Sequence, residues 1–340
     1  MKELLIFLIS FLSIKTVSDA GSFKKINPHY NGECIQIEGV SGPEDIVILD
    51  NGLALISSDN RRLTLKGNPV QGHIFSYNLK DDFPKVNRLT DDINFEFHPH
   101  GISVFKDFDK IVLFVVNHRL EQNTIEIFHL INNKLFYQKT IYDDLLNSPN
   151  DLVAINENQF YVTNDHGSSS DFNKLIEDYL QLSRSNVLYY NGEKFKVVIN
   201  KLKYANGINL SKDGTKLFLA ETIGKSVSVY NRDLLSSELL FEQRIYLNSG
   251  VDNIELDNNG NLWIGSHPQL LKFIKHSKNR EYNSPSQVIK VKLSKDEYIV
   301  DEVYLDDGSE YSGSSVAAPY ENILLIGAVF EDYFLLCQNN

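Results

Sequence analysis

Short apolar runs, punctuated by Asn-Gly or Asp-Gly, recur along the whole chain, each introduced by a small polar signature. The first instance is Glu44-Asp45-Ile46-Val47-Ile48-Leu49, then Asn51-Gly52, then Leu53-Ala54-Leu55-Ile56. The second is His100-Gly101-Ile102-Ser103-Val104, leading into the apolar residues 111–116. The third is Asn150-Asp151-Leu152-Val153-Ala154-Ile155, followed by Gln159-Phe160-Tyr161-Val162. Asn206-Gly207-Ile208-Asn209-Leu210, Asp213-Gly214 and Lys216-Leu217-Phe218-Leu219 form the fourth. Asp252-Asn253-Ile254-Glu255-Leu256, Asn259-Gly260 and Leu262-Trp263-Ile264 form the fifth, and Ser314-Ser315-Val316-Ala317 with Ile323-Leu324-Leu325-Ile326 the sixth. The signatures begin at 45, 100, 150, 206, 252 and 314. Asn-Gly and Asp-Gly between apolar runs mark hairpins, and hairpin units repeating at this interval make a β-propeller. The expected fold is all-β, a propeller of six blades; a pair of β-sandwiches is the alternative.

One segment leaves the strand pattern. Residues 171–185 place Leu175, Ile176, Tyr179, Leu180 and Leu182 near helical spacing, which predicts a short inserted helix capping the propeller top. A substrate lid or a membrane contact is its sharper reading. At the N-terminus, Lys2 precedes an apolar stretch over residues 4–14 and the small-residue run Val17-Ser18-Asp19-Ala20. Such a stretch falls short of the roughly 20 residues that span a bilayer, and it has the form of a signal peptide over 1–20 cleaved after Ala20. Retention of that segment as an anchor is the alternative. Residues 21–340 are then expected to form one propeller domain, secreted or otherwise extracytosolic (periplasmic or extracellular).

Charge narrows the partners. The 340 residues carry 33 Lys and Arg against 45 Asp and Glu, a formal charge of −12, and so offer no electrostatic footprint for nucleic acid. The expected partner is a small molecule, with membrane contact restricted to the N-terminal segment or the 171–185 helix. Two cysteines are present, Cys34 and Cys337, near opposite ends of the mature chain. In an oxidising compartment a disulfide is the natural reading, two unrelated buried thiols being the other. Closing so long a loop is worth roughly 5 kcal/mol as an upper estimate.

The signatures share a chemistry. Equivalent positions of propeller blades converge on the central channel, so Glu44-Asp45, His100, Asn150-Asp151, Asn206 and Asp252-Asn253 are expected to meet there. Taken singly, Asn and Asp are ordinary turn residues. In phase, they supply the mixed carboxylate and amide oxygens that Ca²⁺ takes, while thiolate is absent and imidazole too sparse for zinc.

The phrases GPEDIVILDNGLALISS, FHPHGIS, VVNH, NDLVAI, TNDHG, YANGIN, VDNIELD, WIGSHP and GSSVAA, in order from about Cys34 to Cys337, resemble the serum paraoxonase/arylesterase family, six-bladed calcium-dependent lactonases. The resemblance implies two Ca²⁺ in a central tunnel. Glu44, Asn150, Asn206, Asp252 and Asn253 would hold a catalytic ion; Asp45, Asp151 and the backbone carbonyl of Ile102 would hold a deeper structural one. It implies His100 as general base toward water, with His118 behind it to orient and relay the proton, a task that suits imidazole. The family's disulfide maps onto Cys34 and Cys337. His166 and His267 fall near the pocket, Asp165 and Asn117 among the supporting partners, and Tyr204 and Val329 on the pocket wall. His29, His73, His98, His129 and His276 have no such phase and are expected in core or surface roles.

Departures from the family limit what carries over. Ser266 stands where the family has a free cysteine. Asp59-Asn60-Arg61-Arg62 is a charged loop whose arginines either select an anionic or polar acyl chain or are simply solvated, the latter favoured. The 171–185 helix is too short and polar for lipoprotein attachment to be inherited. The expected activity is calcium-dependent hydrolysis of lactones and aryl esters by water, and no Gly-x-Ser-x-Gly elbow offers a serine route. A gluconolactonase-like hydrolase of sugar lactones, or a secreted propeller that binds ligand around a structural calcium plug, are the alternatives.

Overall fold

The computed structural model describes residues 14–108, 110–294 and 297–339; the first thirteen residues of the expected signal segment lie outside the described residues. Six antiparallel sheets stand in a ring. The first blade is β3 (Pro43–Ile48), β4 (Leu53–Ser58), β5 (His73–Asn78) and β6 (Val86–Arg88), running from the channel outward. The second is β7 (Pro99–Asp107), β8 (Lys110–His118), β9 (Asn123–Ile131) and β10 (Lys134–Ile141); the third is β11 (Pro149–Ala154), β12 (Phe160–Asn164), β13 (Ser185–Tyr190) and β14 (Phe195–Leu202). The fourth is β15 (Ala205–Leu210), β16 (Lys216–Glu221), β17 (Ser226–Arg232) and β18 (Leu239–Tyr246). The fifth, β19 (Gly250–Leu256), β20 (Leu262–His267), β21 (Ser286–Leu293) and β22 (Tyr298–Asp306), gains an outer partner in β1 (His29–Tyr30). The expected six-bladed propeller is therefore the fold.

The sixth blade closes the ring with both ends of the chain. β23 (Ser314–Tyr320), β24 (Ile323–Ala328) and β25 (Tyr333–Asn339) come from the C-terminus, and β2 (Gly32–Glu38) from the N-terminus pairs with β25. Cys34 stands opposite Cys337 in that register, and the two form a disulfide. The clasp that holds the circuit shut is thus both hydrogen-bonded and covalent.

The core lies in the seams between blades. Strand β8 shows why its sequence is apolar without alternation: Val112, Phe114 and Val116 pack toward the third blade, whereas Leu113 and Val115 pack toward the first. Each inner strand has an apolar neighbour on both faces, as a parallel-sheet core would, although the blades are antiparallel. Six buried clusters result, one in each seam.

Besides the helical residues 14–19, three helices among the described residues ride on the ring. α1 (Arg61–Leu65) follows β4, capped by Asn60, whose side chain accepts from the Leu63 N–H at 3.1 Å. α2 (Asp171–Tyr179) is the expected inserted helix, but it stops six residues short of 185. Gln181 adopts a left-handed φ of 52°, and the Leu182 and Gln181 N–H groups turn back to the Glu177 and Asp178 carbonyls, so the chain leaves the helix in a Schellman motif. α3 (Leu270–Lys278) was not foreseen. It lies beyond β20, and its first N–H donates to the Ala20 carbonyl at 3.0 Å.

Candidate active site

The polar signatures sit at the start of the inner strands, where the blades crowd the channel. Glycine permits that crowding: a Cβ on Gly101 would lie 2.5 Å from the Asp151 Cα, and one on Gly207 would lie 2.4 Å from the Asp252 carbonyl oxygen. His100-Gly101 and Asn206-Gly207 therefore couple a functional side chain to the residue that lets the next blade approach.

Glu44, Asn150, Asn206, Asp252 and Asn253 are all buried; the first four line one cavity, and Asn253 joins them through its hydrogen bond to Glu44. Their amide donors are committed, whereas four of their oxygens are not. Asn253 Nδ2 donates to Glu44 Oε1 at 3.0 Å and to the Glu44 carbonyl at 3.2 Å. Asn206 Nδ2 donates to Thr222 Oγ1 at 2.9 Å, and that hydroxyl passes its own proton to the Val251 carbonyl, which fixes the direction. Asn150 Nδ2 donates to Asp165 Oδ2 at 3.3 Å. Left over are Glu44 Oε2, Asn150 Oδ1, Asn206 Oδ1 and Asn253 Oδ1, four buried oxygens with no hydrogen-bond partner. One such orphan costs on the order of 1–3 kcal/mol, so four oxygens in a single donor set point to a cation as the missing partner. The set fits calcium in its chemistry, with amide and carboxylate oxygens and neither thiolate nor imidazole among the five residues. Ser315 of the sixth blade takes no place in the set and instead holds the Glu44 carbonyl at 2.6 Å.

One residue along, the side chains turn the other way. Asp45 accepts from the Ile46 N–H at 2.9 Å and, across the seam, from the Ile102 N–H at 2.8 Å. Asp151 repeats this with Leu152 at 2.7 Å and Ile208 at 2.8 Å. Burial pushes both carboxyls well above the usual range; the Glu44 charge adds to the effect at Asp45, and the Asp45 charge adds to it at Asp151. Glu255, which carried no role in the sequence, is driven up by desolvation and by Asp45. Ile102 presents its N–H to Asp45 alone of these acids.

Two of the histidines, His100 and His118, are joined by a hydrogen bond. Asn123 Nδ2 is spent on the Leu146 and Asn147 carbonyls, so its Oδ1 accepts from His118 Nδ1 at 2.8 Å. His118 Nε2 then has to accept, and it lies 2.8 Å from His100 Nδ1. Desolvation, with the His100 and Arg61 charges beside it, lowers His118 to about 3, which keeps it neutral as this pattern requires. The proton assignment leaves His100 Nε2 as the nitrogen facing inward, 3.4 Å from Glu44 Oε1. Asn117, expected among the supporting partners, does not touch either imidazole. It accepts from the His98 N–H at 2.7 Å and donates to Glu126, pinning the strand ends; Asn123 fills the supporting role.

The walls are assembled from distant loops. His267 Nε2 bonds Asp252 Oδ2 at 2.7 Å, and its ring stacks 3.9 Å from Phe273 of α3. Burial raises Asp252, against the pull of His267. His166 lies between Asp165 at 2.6 Å and Asp178 of α2 at 3.0 Å; burial opposes its charge, but the two carboxylates win and raise it to about 9. Tyr204 packs edge-on against His166 with a left-handed φ of 62°, a costly posture for a bulky residue and one that marks a constrained site. Val329 lines the cavity with Leu270, Leu271, Ile274 and Phe330. The cavity measures about 640 Å³. His98 departs from expectation: it belongs to the cavity, its Nδ1 2.9 Å from Asp59.

The sequence pattern of the arylesterase family matches residues 25–338. The chain belongs to that family. Serum paraoxonase/arylesterase 2 of Gallus gallus is 36% identical over 319 residues, covering 90% of this chain and 89% of its own. The arylesterase match carries an enzyme class, an esterase or lactonase. Solved propellers share the fold alone: a gluconolactonase from Xanthomonas campestris (TM-score 0.55, 13% identity, 94% of this chain and 99% of that one) and a calcium-binding regucalcin from Agrobacterium tumefaciens (TM-score 0.55, 11% identity, 92% and 96%).

Proposed function

We propose that this arylesterase hydrolyses lactones and aryl esters by direct attack of water, in a site that requires calcium. The observation that carries the reading is the set of four partnerless buried oxygens on Glu44, Asn150, Asn206 and Asn253. These residues, with Asp252, would hold a catalytic Ca²⁺; Asp45 and Asp151, with the Ile102 carbonyl, would hold a second. A bound Ca²⁺ supplies Lewis-acid polarisation of the ester carbonyl. The chain does the rest. His100 Nε2 takes the proton of the attacking water, and the charge that arises on its ring is shared through Nδ1 with His118, which Asn123 holds in the accepting tautomer. Apolar Leu270, Leu271, Phe273 and Phe330 exclude water around the acyl or aryl group. Those walls favour aromatic and aliphatic esters over sugar lactones, whose hydroxyls would lack partners there.

The disulfide supports an oxidising location, secreted or extracytosolic, and no helix among the described residues is long and apolar enough to cross a membrane. Thr16, Asp19 and Ala20 line the cavity, and the Thr16 hydroxyl donates to the Tyr179 carbonyl at 3.1 Å. That contact favours retention of the N-terminal segment over cleavage after Ala20.

The test is turnover of phenyl acetate and δ-valerolactone with and without EGTA. Activity should vanish on chelation and return with Ca²⁺, and His100→Gln should lower kcat by roughly 10²–10⁴-fold with calcium bound. Inert substrates combined with calcium-dependent thermal stability would transfer support to the ligand-binding alternative.

A further inference from the structure

The fold puts the two arginines after Asn60 to different uses. Arg62 is engaged through both terminal nitrogens, although its buried Nε lacks a partner: Nη1 donates to the Phe330 carbonyl at 3.0 Å, Nη2 donates to the His276 carbonyl at 3.1 Å, and the guanidinium lies 5.1 Å over the Phe330 ring. Arg61 is not. It lines the cavity, and its hydrogen bond is to the Pro99 carbonyl at 3.5 Å, the outer limit for such a bond. Its Nε is buried with no partner, and among the described residues no carboxylate pairs with it. The nearest acid in sequence, Asp59, is already taken by His98. Lys174 adds a second cation to the wall from α2, held by Ser148 Oγ at 2.9 Å and likewise without a carboxylate partner among the described residues.

A half-buried guanidinium in a cavity that Leu65 and Phe330 also line, with most of its donors unused, is costly for the free protein. It becomes favourable when an anion completes it. Arg presents parallel N–H groups that match a carboxylate in two bonds, and the rigid short helix α1 fixes their origin. We infer that Arg61 is a specificity residue that receives a carboxylate on the substrate, so that the preferred substrates are lactones or aryl esters bearing a free carboxylate away from the reacting carbonyl. This inference rests on the hydrolase reading above and names the substrate class of that same site. The two ends of the cavity then have separate tasks: the channel floor takes the ester carbonyl, and α1 takes the anionic tail.

The test compares 4-acetoxybenzoate with phenyl acetate in the wild type, Arg61→Gln and Arg61→Lys, each checked for an unchanged thermal midpoint. The wild type should favour the carboxylated ester by about tenfold to a hundredfold in kcat/KM, mainly through KM. Arg61→Gln should bring the ratio near one, and Arg61→Lys should fall between. A wild-type ratio at or below one, or a ratio that Arg61→Gln leaves in place, overturns the inference. A calorimetric titration with benzoate and benzamide reads the same contact without turnover. Benzoate binding weakened tenfold or more in Arg61→Gln, with no parallel shift for benzamide, supports the contact even if neither ester is hydrolysed. Equal benzoate affinity in both proteins contradicts it.

Discussion

Glu44 and Asp45 are adjacent, as are Asn150 and Asp151, yet the two members of each pair have opposite fates. The outer members, facing the cavity, keep oxygens that nothing satisfies. The inner members are stitched, each carboxylate taking one N–H from its own strand and one from the next blade. Strand alternation makes this division: successive side chains point to opposite sides, so the carboxylates of one layer tie neighbouring blades together and the next layer keeps acceptors that no protein group satisfies. The comparison teaches that burial alone does not define a site. What distinguishes the outer layer is burial with donors committed and acceptors free.

Truncating one residue of each layer should separate them most strongly. Asp151→Ala leaves the Leu152 and Ile208 N–H groups without an acceptor, and should cost roughly 2–5 kcal/mol in urea denaturation under chelation. Asn206→Ala removes an oxygen that had no partner together with the hydrogen bond to Thr222 Oγ1, so under chelation it should cost only about 1 kcal/mol, while activity with calcium should fall at least a hundredfold. Equal destabilisation by both would dissolve the distinction between the layers.

Next in size is the clasp. Cys337→Ala opens the covalent link between β2 and β25 but leaves both layers intact. Stability should drop by up to about 5 kcal/mol, and calcium affinity at saturating folded protein should be retained. Loss of calcium binding in protein shown to be folded would mean that the layers depend on the clasp.

The smallest effect concerns the wall that supports the outer layer. His166 has a folded value near 9, above its ordinary value of 6.5. The stability it contributes is therefore fully present below about pH 6.5 and is lost as pH rises through 9. Wild type and His166→Gln should converge in thermal midpoint above that pH and separate below it. A gap that persists unchanged to pH 10 would remove the Asp165–His166–Asp178 ion pairs from the account.

Much of this was legible in the sequence. The polar signatures marked all six inner strands, and the blade count followed, because every blade repeats the same local demand for a hairpin and a two-faced apolar strand. The ligand candidates were legible for the same reason. The walls were not. His98 meets Asp59 across 39 positions, and Arg62 meets His276 across 214, contacts that no periodicity announces. Helix α3 did carry a signal, apolar Leu270, Leu271, Phe273 and Ile274 at helical spacing, but nine residues between two strands are easily read as a blade connection. Arg61 and Arg62 read alike in sequence; only the presence of Phe330 and His276 beside one of them makes them different.

The most direct measurement is a calorimetric Ca²⁺ titration of chelated wild type beside Asn150→Ala/Asn206→Ala. The account predicts two binding events in the wild type, with the double variant losing one of them and keeping the event that belongs to Asp45 and Asp151. Absence of any Ca²⁺ binding to the wild type, or a double variant that titrates just as the wild type does, would contradict it.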